Sequence, residues 1–229
     1  MSQLAEADAK RVAAVIFDMD GVLIDSEQVW EEVRRAVVAE FGGHWQADTQ
    51  RRLMGMSTPE WAAYLSGELG VRLSARDVAD EVIRRMVERY AERLPLIDGA
   101  PEAVSRLAAR WPIGIASSSP RSLIEVALQR MGIHERVAAI VSSDEVPRGK
   151  PAPDVYEEAA RRLNLAAERC AAVEDSSNGL RSAAAAGMRV IAMPNPHYPP
   201  DADALAQADL VLRHLSELTV ETIEGLAGH

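Results

Sequence analysis

Cysteine is almost absent from this 229-residue chain. Cys170 is the single one, so no intramolecular disulfide can form and a reducing compartment is expected. It precedes the apolar Ala171-Ala172-Val173, the setting of an inert buried thiol. Positive charge is also scarce. Lys and Arg number 25 against 35 Asp and Glu, a formal charge of −10, which argues against nucleic acid or an anionic membrane as the main partner. Such a surface repels anionic substrates at long range, so a phosphate site must work through local groups. No apolar run approaches membrane-spanning length, and Met1 to Lys10 mixes charges without a signal-peptide core. A cytoplasmic location is the resulting expectation. There is no GxxxxGKS/T loop, no GxGxxG turn after a strand, no GxSxG elbow, no EF-hand spacing from Asp18 to Asp25 and no zinc-type pairing among the five His.

What is present is a soluble globular composition, 48% hydrophobic and 26% charged, on a chain long enough for one α/β domain with an insertion. Val12-Ala13-Ala14-Val15-Ile16-Phe17 has no polar alternation and reads as a parallel strand buried on both faces. It runs into Asp18-Met19-Asp20-Gly21-Val22. Residues i and i+2 of an extended chain face the same way, so Asp18 and Asp20 can converge just past the strand, where Gly21 frees the backbone to turn. In open α/β sheets, ligands bind at that end of the strands.

From Ser26 to Leu94 the pattern is helical throughout. Ser26 is placed to cap a helix showing Trp30, Val33, Val37 and Phe41 on one face. Ser57 and Glu60 have capping-box spacing ahead of Trp61, Tyr64, Leu65 and Leu69. Val78, Val82, Met86 and Tyr90 form an i+4 stripe. The Trp residues of this segment are expected in its core. From Asp98 onward helices and strands alternate: strands at Ile113–Ala116, Val137–Val141, Ala171–Val173, Val190–Met193 and Leu210–Leu212, with helices between them. The expected fold is α/β, a doubly wound, Rossmann-like parallel sheet with an inserted small helical cap. Residues 1–24 and 95–229 make the core and 25–94 the cap, with crossings near Ile24-Asp25 and Leu94-Pro95 as hinge candidates.

Four polar clusters fall at, or just after, the carboxyl ends of predicted strands: Asp18/Asp20, Ser117-Ser118, Lys150 and Glu174-Asp175. Each has a purely structural alternative. The serines can be an N-cap, Lys150 a solvated surface lysine, and Glu174-Asp175 a partner for the dipole of the following helix. None of these explains why all four share one topological edge. Together they suit phosphoryl chemistry. Carboxylates are hard ligands for Mg²⁺, hydroxyls and backbone N–H groups donate to phosphate, and a lysine supplies fixed positive charge. Close carboxylates do not ionise equally, which lets one stay an acid while the other is an anionic nucleophile.

In order and spacing, Asp18-Met19-Asp20-Gly21-Val22, Ser117, Lys150 in Gly149-Lys150-Pro151-Ala152-Pro153-Asp154, and Glu174-Asp175-Ser176 resemble the four motifs of the haloacid dehalogenase-like hydrolase superfamily. The resemblance spans nearly the whole chain. Asp18 to Glu27 and Ala116 to Pro120 look most like the β-phosphoglucomutase-like branch and its 2-deoxyglucose-6-phosphatase-type sugar phosphatases. The resemblance implies Asp18 as nucleophile, Asp20 as acid and then base, and Ser117 and Lys150 holding the phosphoryl group. It implies Mg²⁺ on Asp18, the Asp20 carbonyl, Glu174 and Asp175, and substrate contacts from Ser118 and from Gly55 and Ser57 in the cap loop. The expected activity is Mg²⁺-dependent hydrolysis of a small sugar or polyol phosphate through an aspartyl-phosphate, by a monomer whose partner is that phosphorylated metabolite. The alternatives are a phosphosugar mutase and a non-catalytic Mg²⁺/phosphate-binding regulator. Mutases of this branch carry a His where Trp30 stands and a phosphate-binding Arg where Thr58 stands. That departure leaves the cap short of a grip on a second phosphate and favours water as the acceptor.

Overall fold

The computed structural model describes residues 11–53 and 56–226. Chain order begins with β1 (Ala14–Phe17), followed by helices α1 (Glu27–Glu40), α2 (Thr49–Leu53), α3 (Thr58–Gly67), α4 (Ala75–Glu92) and α5 (Ala100–Ala108). Then come β2 (Ile113–Ser117), α6 (Arg121–Met131), β3 (Val137–Ser142), α7 (Asp154–Arg162), β4 (Cys170–Glu174), α8 (Ser177–Ala185), β5 (Arg189–Ala192), α9 (Ala202–Leu205), β6 (Leu210–Val211) and α10 (Val220–Gly225). The strands form one six-stranded sheet in the order β3-β2-β1-β4-β5-β6, and every pairing is parallel. This is the doubly wound arrangement expected from the alternation of strands and helices. Its topological switch lies between β1 and β4, where a ligand crevice opens.

β1 shows why its run of apolar residues has no alternation. Val15 and Phe17 pack into the core on one face, Ala14 and Ile16 into the core on the other, and all four are fully buried. Gly114 of β2 lets the sheet close over Ile16: a Cβ there would lie 3.1 Å from an Ile16 side-chain atom. Cys170 opens β4 and is buried and free, as its apolar neighbours imply. Among the described residues, no helix is long and apolar enough to cross a membrane.

The four helices α1 to α4 follow β1 before the second strand begins. Their i+4 stripes meet one another: Trp30, Val33 and Val37 of α1, Trp61 and Leu65 of α3, and Val78, Val82, Met86 and Tyr90 of α4 are buried together. α2 lies in a stretch with no apolar period and owes its burial to Thr49, Gln50 and Leu53. The two chain crossings run side by side. Ile24 bridges Leu96 in antiparallel fashion, the Asp25 N–H donates to the Pro95 carbonyl at 2.8 Å, and the Ile97 N–H donates to Leu23 at 3.0 Å. The capping box at Ser57 forms as its spacing requires, with the Ser57 N–H and hydroxyl both donating to Glu60 at 2.8 and 2.7 Å.

Ser26 departs from its expected role. It stands at the N-cap position of α1 but makes no capping bond. Its hydroxyl instead donates to Asp20 Oδ1 at 2.5 Å. A capping oxygen accepts from the first amides of the helix and needs an extended N-cap backbone. Ser26 has φ −91° and ψ −14°, so its oxygen is not turned to those amides, while its proton makes a charge-assisted bond to the carboxylate.

Candidate active site

Strand β1 ends at Phe17 and delivers Asp18 into a largely buried position, 6% exposed. The Lys150 ammonium lies 2.9 Å from Asp18 Oδ1 and 2.6 Å from Glu174 Oε1. Lys150 is therefore not a solvated surface lysine; its side chain is 3% exposed. Burial alone disfavours its charge, but the two carboxylates outweigh that and raise it above the ordinary lysine value.

Glu174 terminates β4 and is saturated with donors. Oε1 also accepts from the Tyr156 hydroxyl at 2.7 Å. Oε2 accepts from the Asp175 N–H at 3.1 Å, the Ser176 N–H at 3.4 Å and the Ser176 hydroxyl at 3.2 Å. Glu174 thus anchors Lys150, which a reading limited to local sequence assigns only to the rim. Tyr156 escaped the sequence reading because it looks like an ordinary apolar-face residue of α7. Its only signal is a position six residues after Lys150.

Asp20 is gripped by three hydroxyls. Ser26 donates to Oδ1, while Ser119 and Ser117 donate to Oδ2 at 2.8 and 3.3 Å. The Ser119 N–H donates in turn to Ser117 Oγ at 3.0 Å, which fixes the serine pair. The structure therefore places Ser117 beneath Asp20, and half-buried Ser118 and buried Ser119 in the cavity wall. Hydroxyls both donate and accept, so this cradle suits either protonation state of Asp20. Ser119 was visible in Ser117-Ser118-Ser119, but nothing local singles out the third serine.

The carboxylates of Asp18, Glu174 and Asp175 each bring one oxygen within 4.8 Å of the others. Burial pushes Asp18 up to about 8, opposed by Lys150 and reinforced by Glu174 and Asp20. Burial, then Glu174 and Asp18, holds Asp175 well above the usual carboxylate range. Buried acids that lack enough positive charge, with hard oxygen donors converging, are what a divalent cation would relieve. The residues present fit such an ion, with Asp18 and Asp175 the oxygens less engaged by protein donors.

Two glycines make this packing possible. Gly21 has φ +81°, and a Cβ built there would lie 1.9 Å from Asp175 Oδ2. A Cβ on Gly179 would lie 1.9 Å from Glu174 Oε2. Gly21→Ala is expected to lower stability by at least ~1–2 kcal/mol from the left-handed backbone alone, and to weaken divalent-cation binding by displacing Asp175. Thermal unfolding and calorimetric titration with a divalent cation check both effects.

Above these groups opens a cleft of about 550 Å³ whose wall includes Asp18, Asp20, Lys150 and Asp175 from the core and Glu27, Trp30, Arg34 and Trp61 from the helical insert. Trp30 is thus both core and wall, 5% exposed. Among the described residues, Ser57 and Thr58 do not line this cleft. Ser57 spends its donors on Glu60, and Thr58 is buried at the start of α3. Gly55 lies outside the described residues. Two arginines that the sequence reading did not single out, Arg34 and Arg51, both reach the cleft. Arg34 sits one helical turn beyond Trp30, and no local signal in the sequence marks it.

The model of the family described as haloacid dehalogenase-like hydrolase matches residues 12–187. The chain belongs to the haloacid dehalogenase-like hydrolases. As a member, it is similar to hexitol phosphatase B of Escherichia coli K12, at 32% identity over 94% of this chain and 98% of that one. It is also similar to the fructose-1-phosphate phosphatase YqaB of the same strain, at 30% identity over 80% and 96%. Among solved structures, CbbY from Rhodobacter sphaeroides in complex with phosphate superposes with a TM-score of 0.83, at 27% identity, over 93% of this hydrolase and 99% of CbbY.

Proposed function

We propose that this hydrolase is a Mg²⁺-dependent phosphomonoesterase acting on small sugar or polyol phosphates through an aspartyl-phosphate at Asp18. The observation that carries the reading is the pairing of Asp18 with the buried Lys150 ammonium at 2.9 Å, beside an Asp20 held by three hydroxyls. The similarity to phosphatases of hexitol phosphates and of fructose 1-phosphate supports the substrate class.

An Asp18 carboxylate oxygen attacks phosphorus, forming the O–P bond as the bond to the leaving alcohol oxygen breaks. Asp20 gives that oxygen its proton, and then takes one from the water that attacks the phosphoryl-aspartate. Lys150 and the serine-lined wall offset phosphoryl charge as it redistributes. Asp18, Asp175, the Asp20 carbonyl and Glu174 would hold Mg²⁺, which would supply charge neutralisation and keep Asp18 ionised. Residues 25–94 act as a cap on the core of 1–24 and 95–229, hinged where Asp25 and Pro95 pair, and exclude bulk water when closed.

A panel of hexose, hexitol and pentose phosphates assayed for phosphate release with Mg²⁺ tests the reading. Hydrolysis of sugar or polyol phosphates is expected. Faster isomerisation of β-glucose 1-phosphate than phosphate release, after priming with a bisphosphate, would make the protein a mutase.

The acid cluster also has a consequence for pH. Asp18 and Asp175 have folded-state values above their unfolded ones, so their protonated forms favour the fold. Metal-free protein is therefore expected to lose stability as pH rises from the ordinary carboxylate value of about 4 toward about 8. Mg²⁺ raises the unfolding midpoint more at the upper end of that window than at the lower, because it binds the ionised carboxylates. Differential scanning fluorimetry across the window, with and without Mg²⁺, checks this.

A further inference from the structure

Among the described residues Arg34 and Lys150 are the buried cations; Arg34 is 6% exposed, on a helix where Glu32 and Arg35 beside it face solvent. Its guanidinium carbon lies 4.4 Å from the Trp30 ring centroid and 5.0 Å from that of Trp61. The two indoles meet edge to face, 6.1 Å apart at 61°. Cation–π contacts of this kind pin the group but leave its in-plane N–H donors unspent. Among the described residues, Arg34 forms no hydrogen bond and no ion pair within 4.0 Å, and its Nε is buried without a partner. A buried donor left unmade is costly, so beside an open cleft it calls for a partner, a bound ligand or an ordered water.

Glu27 shares the same wall, on the same face of α1 two turns before Arg34. Gln50 Nε2 donates to Glu27 Oε2 at 2.9 Å and holds the carboxylate in place. Burial pushes the Glu27 carboxyl up and the Arg34 guanidinium down, and each partly offsets the other's shift, though no ion pair within 4.0 Å joins them. Opposite charges kept apart in one wall leave a gap that a third group can bridge. A hydroxyl is chemically suited to that bridge, because it accepts from the guanidinium and donates to the carboxylate at once. An anion only accepts, and here it would face Glu27 and Asp20. We propose, building on the phosphatase reading, that Arg34 and Glu27 form a polyol-recognition pair that binds hydroxyls of the leaving group and makes Arg34 the specificity-determining residue of the cap.

The test compares sorbitol 6-phosphate with phenyl phosphate, which carries no oxygen beyond its phosphate. Arg34→Met keeps much of the stem packing against the indoles, and Arg34→Lys keeps the charge without the fork. Each is expected to lower kcat/KM for sorbitol 6-phosphate by about 10- to 100-fold, mostly through KM, the scale of losing hydrogen bonds to a charged group. Phenyl phosphate should stay within about threefold, as a loss confined to leaving-group binding requires. An equal fall on both substrates would show that Arg34 only supports the cap, and would overturn the proposal. So would a loss confined to glucose 1,6-bisphosphate, which would mark an anion clamp. A second arm uses calorimetry in an Asp18→Asn background, where no turnover is needed. There Arg34→Met should weaken sorbitol 6-phosphate and leave inorganic phosphate unchanged; equal weakening of both would overturn the proposal. If the unmutated protein releases phosphate from nothing in the panel, the phosphatase reading fails, and the calorimetric arm still decides the role of Arg34.

Discussion

Asp18→Asn is expected to give a folded protein whose phosphate release falls by about 10⁶-fold, the scale seen when a nucleophile is removed from an enzyme that cannot bypass it. The substitution keeps size and shape but exchanges an anionic oxygen for an amide. Phosphate-monoester hydrolysis is among the slowest reactions in water, needing accelerations up to ~10²¹, so positioning and charge alone leave little turnover. The fold should tolerate the change. Asp18 sits among acids that raise one another, and removing one carboxylate lowers that repulsion in the metal-free state. Glu174 still holds Lys150 at 2.6 Å. Colorimetric phosphate assays, paired with thermal unfolding of the same preparation, separate lost chemistry from lost structure. Retention of near-normal turnover would remove Asp18 from the reaction.

Lys150→Met is the second large effect, and it falls on stability as well as activity. The ammonium is buried and contacts two buried carboxylates. Removing one partner of a buried ionic cluster leaves the others uncompensated, typically a loss of about 3–5 kcal/mol. Asp18 and Glu174 would then share no cation in metal-free protein. The expected result is a sharply lowered unfolding midpoint without metal, partly restored by Mg²⁺, and phosphate release at least ~100-fold slower in its presence. A midpoint unchanged without metal would mean that Lys150 carries no compensating charge.

These effects trace to residues whose legibility in the sequence differed. Asp18 was readable because strand end, spacing and glycine all act within five residues. The cluster at the sheet edge was readable because parallel topology sends every strand end to one side. What each residue touches was less so. Ser26 looked like a helix cap, yet its nearest strong acceptor is a carboxylate six residues back. Glu174 looked like one half of a metal pair, yet Tyr156 of α7 and Lys150 of the loop before it reach it from 18 and 24 residues away. Thr58 and Trp30 suggested a cap short of a grip on a second phosphate, and Arg34 went unnoticed because nothing local marks a helix arginine as buried. Trp30 and Trp61, from two helices, both lie against it. Local pattern reports backbone and edge well. It cannot report which distant side chain wins a hydroxyl or covers a guanidinium, since those outcomes depend on packing between elements.

Covalent phosphoryl transfer to Asp18 is tested most directly with the Asp20→Asn variant and p-nitrophenyl phosphate in Mg²⁺. The p-nitrophenolate leaving group needs no proton, so the first step proceeds, while the second stalls without a base to activate water. The expected result is a burst of about one p-nitrophenolate per protein, followed by near-arrest, with the mass of one phosphoryl group retained on the peptide that carries Asp18. Continuous turnover without a burst, or a phosphoryl group retained on any other residue, would contradict it.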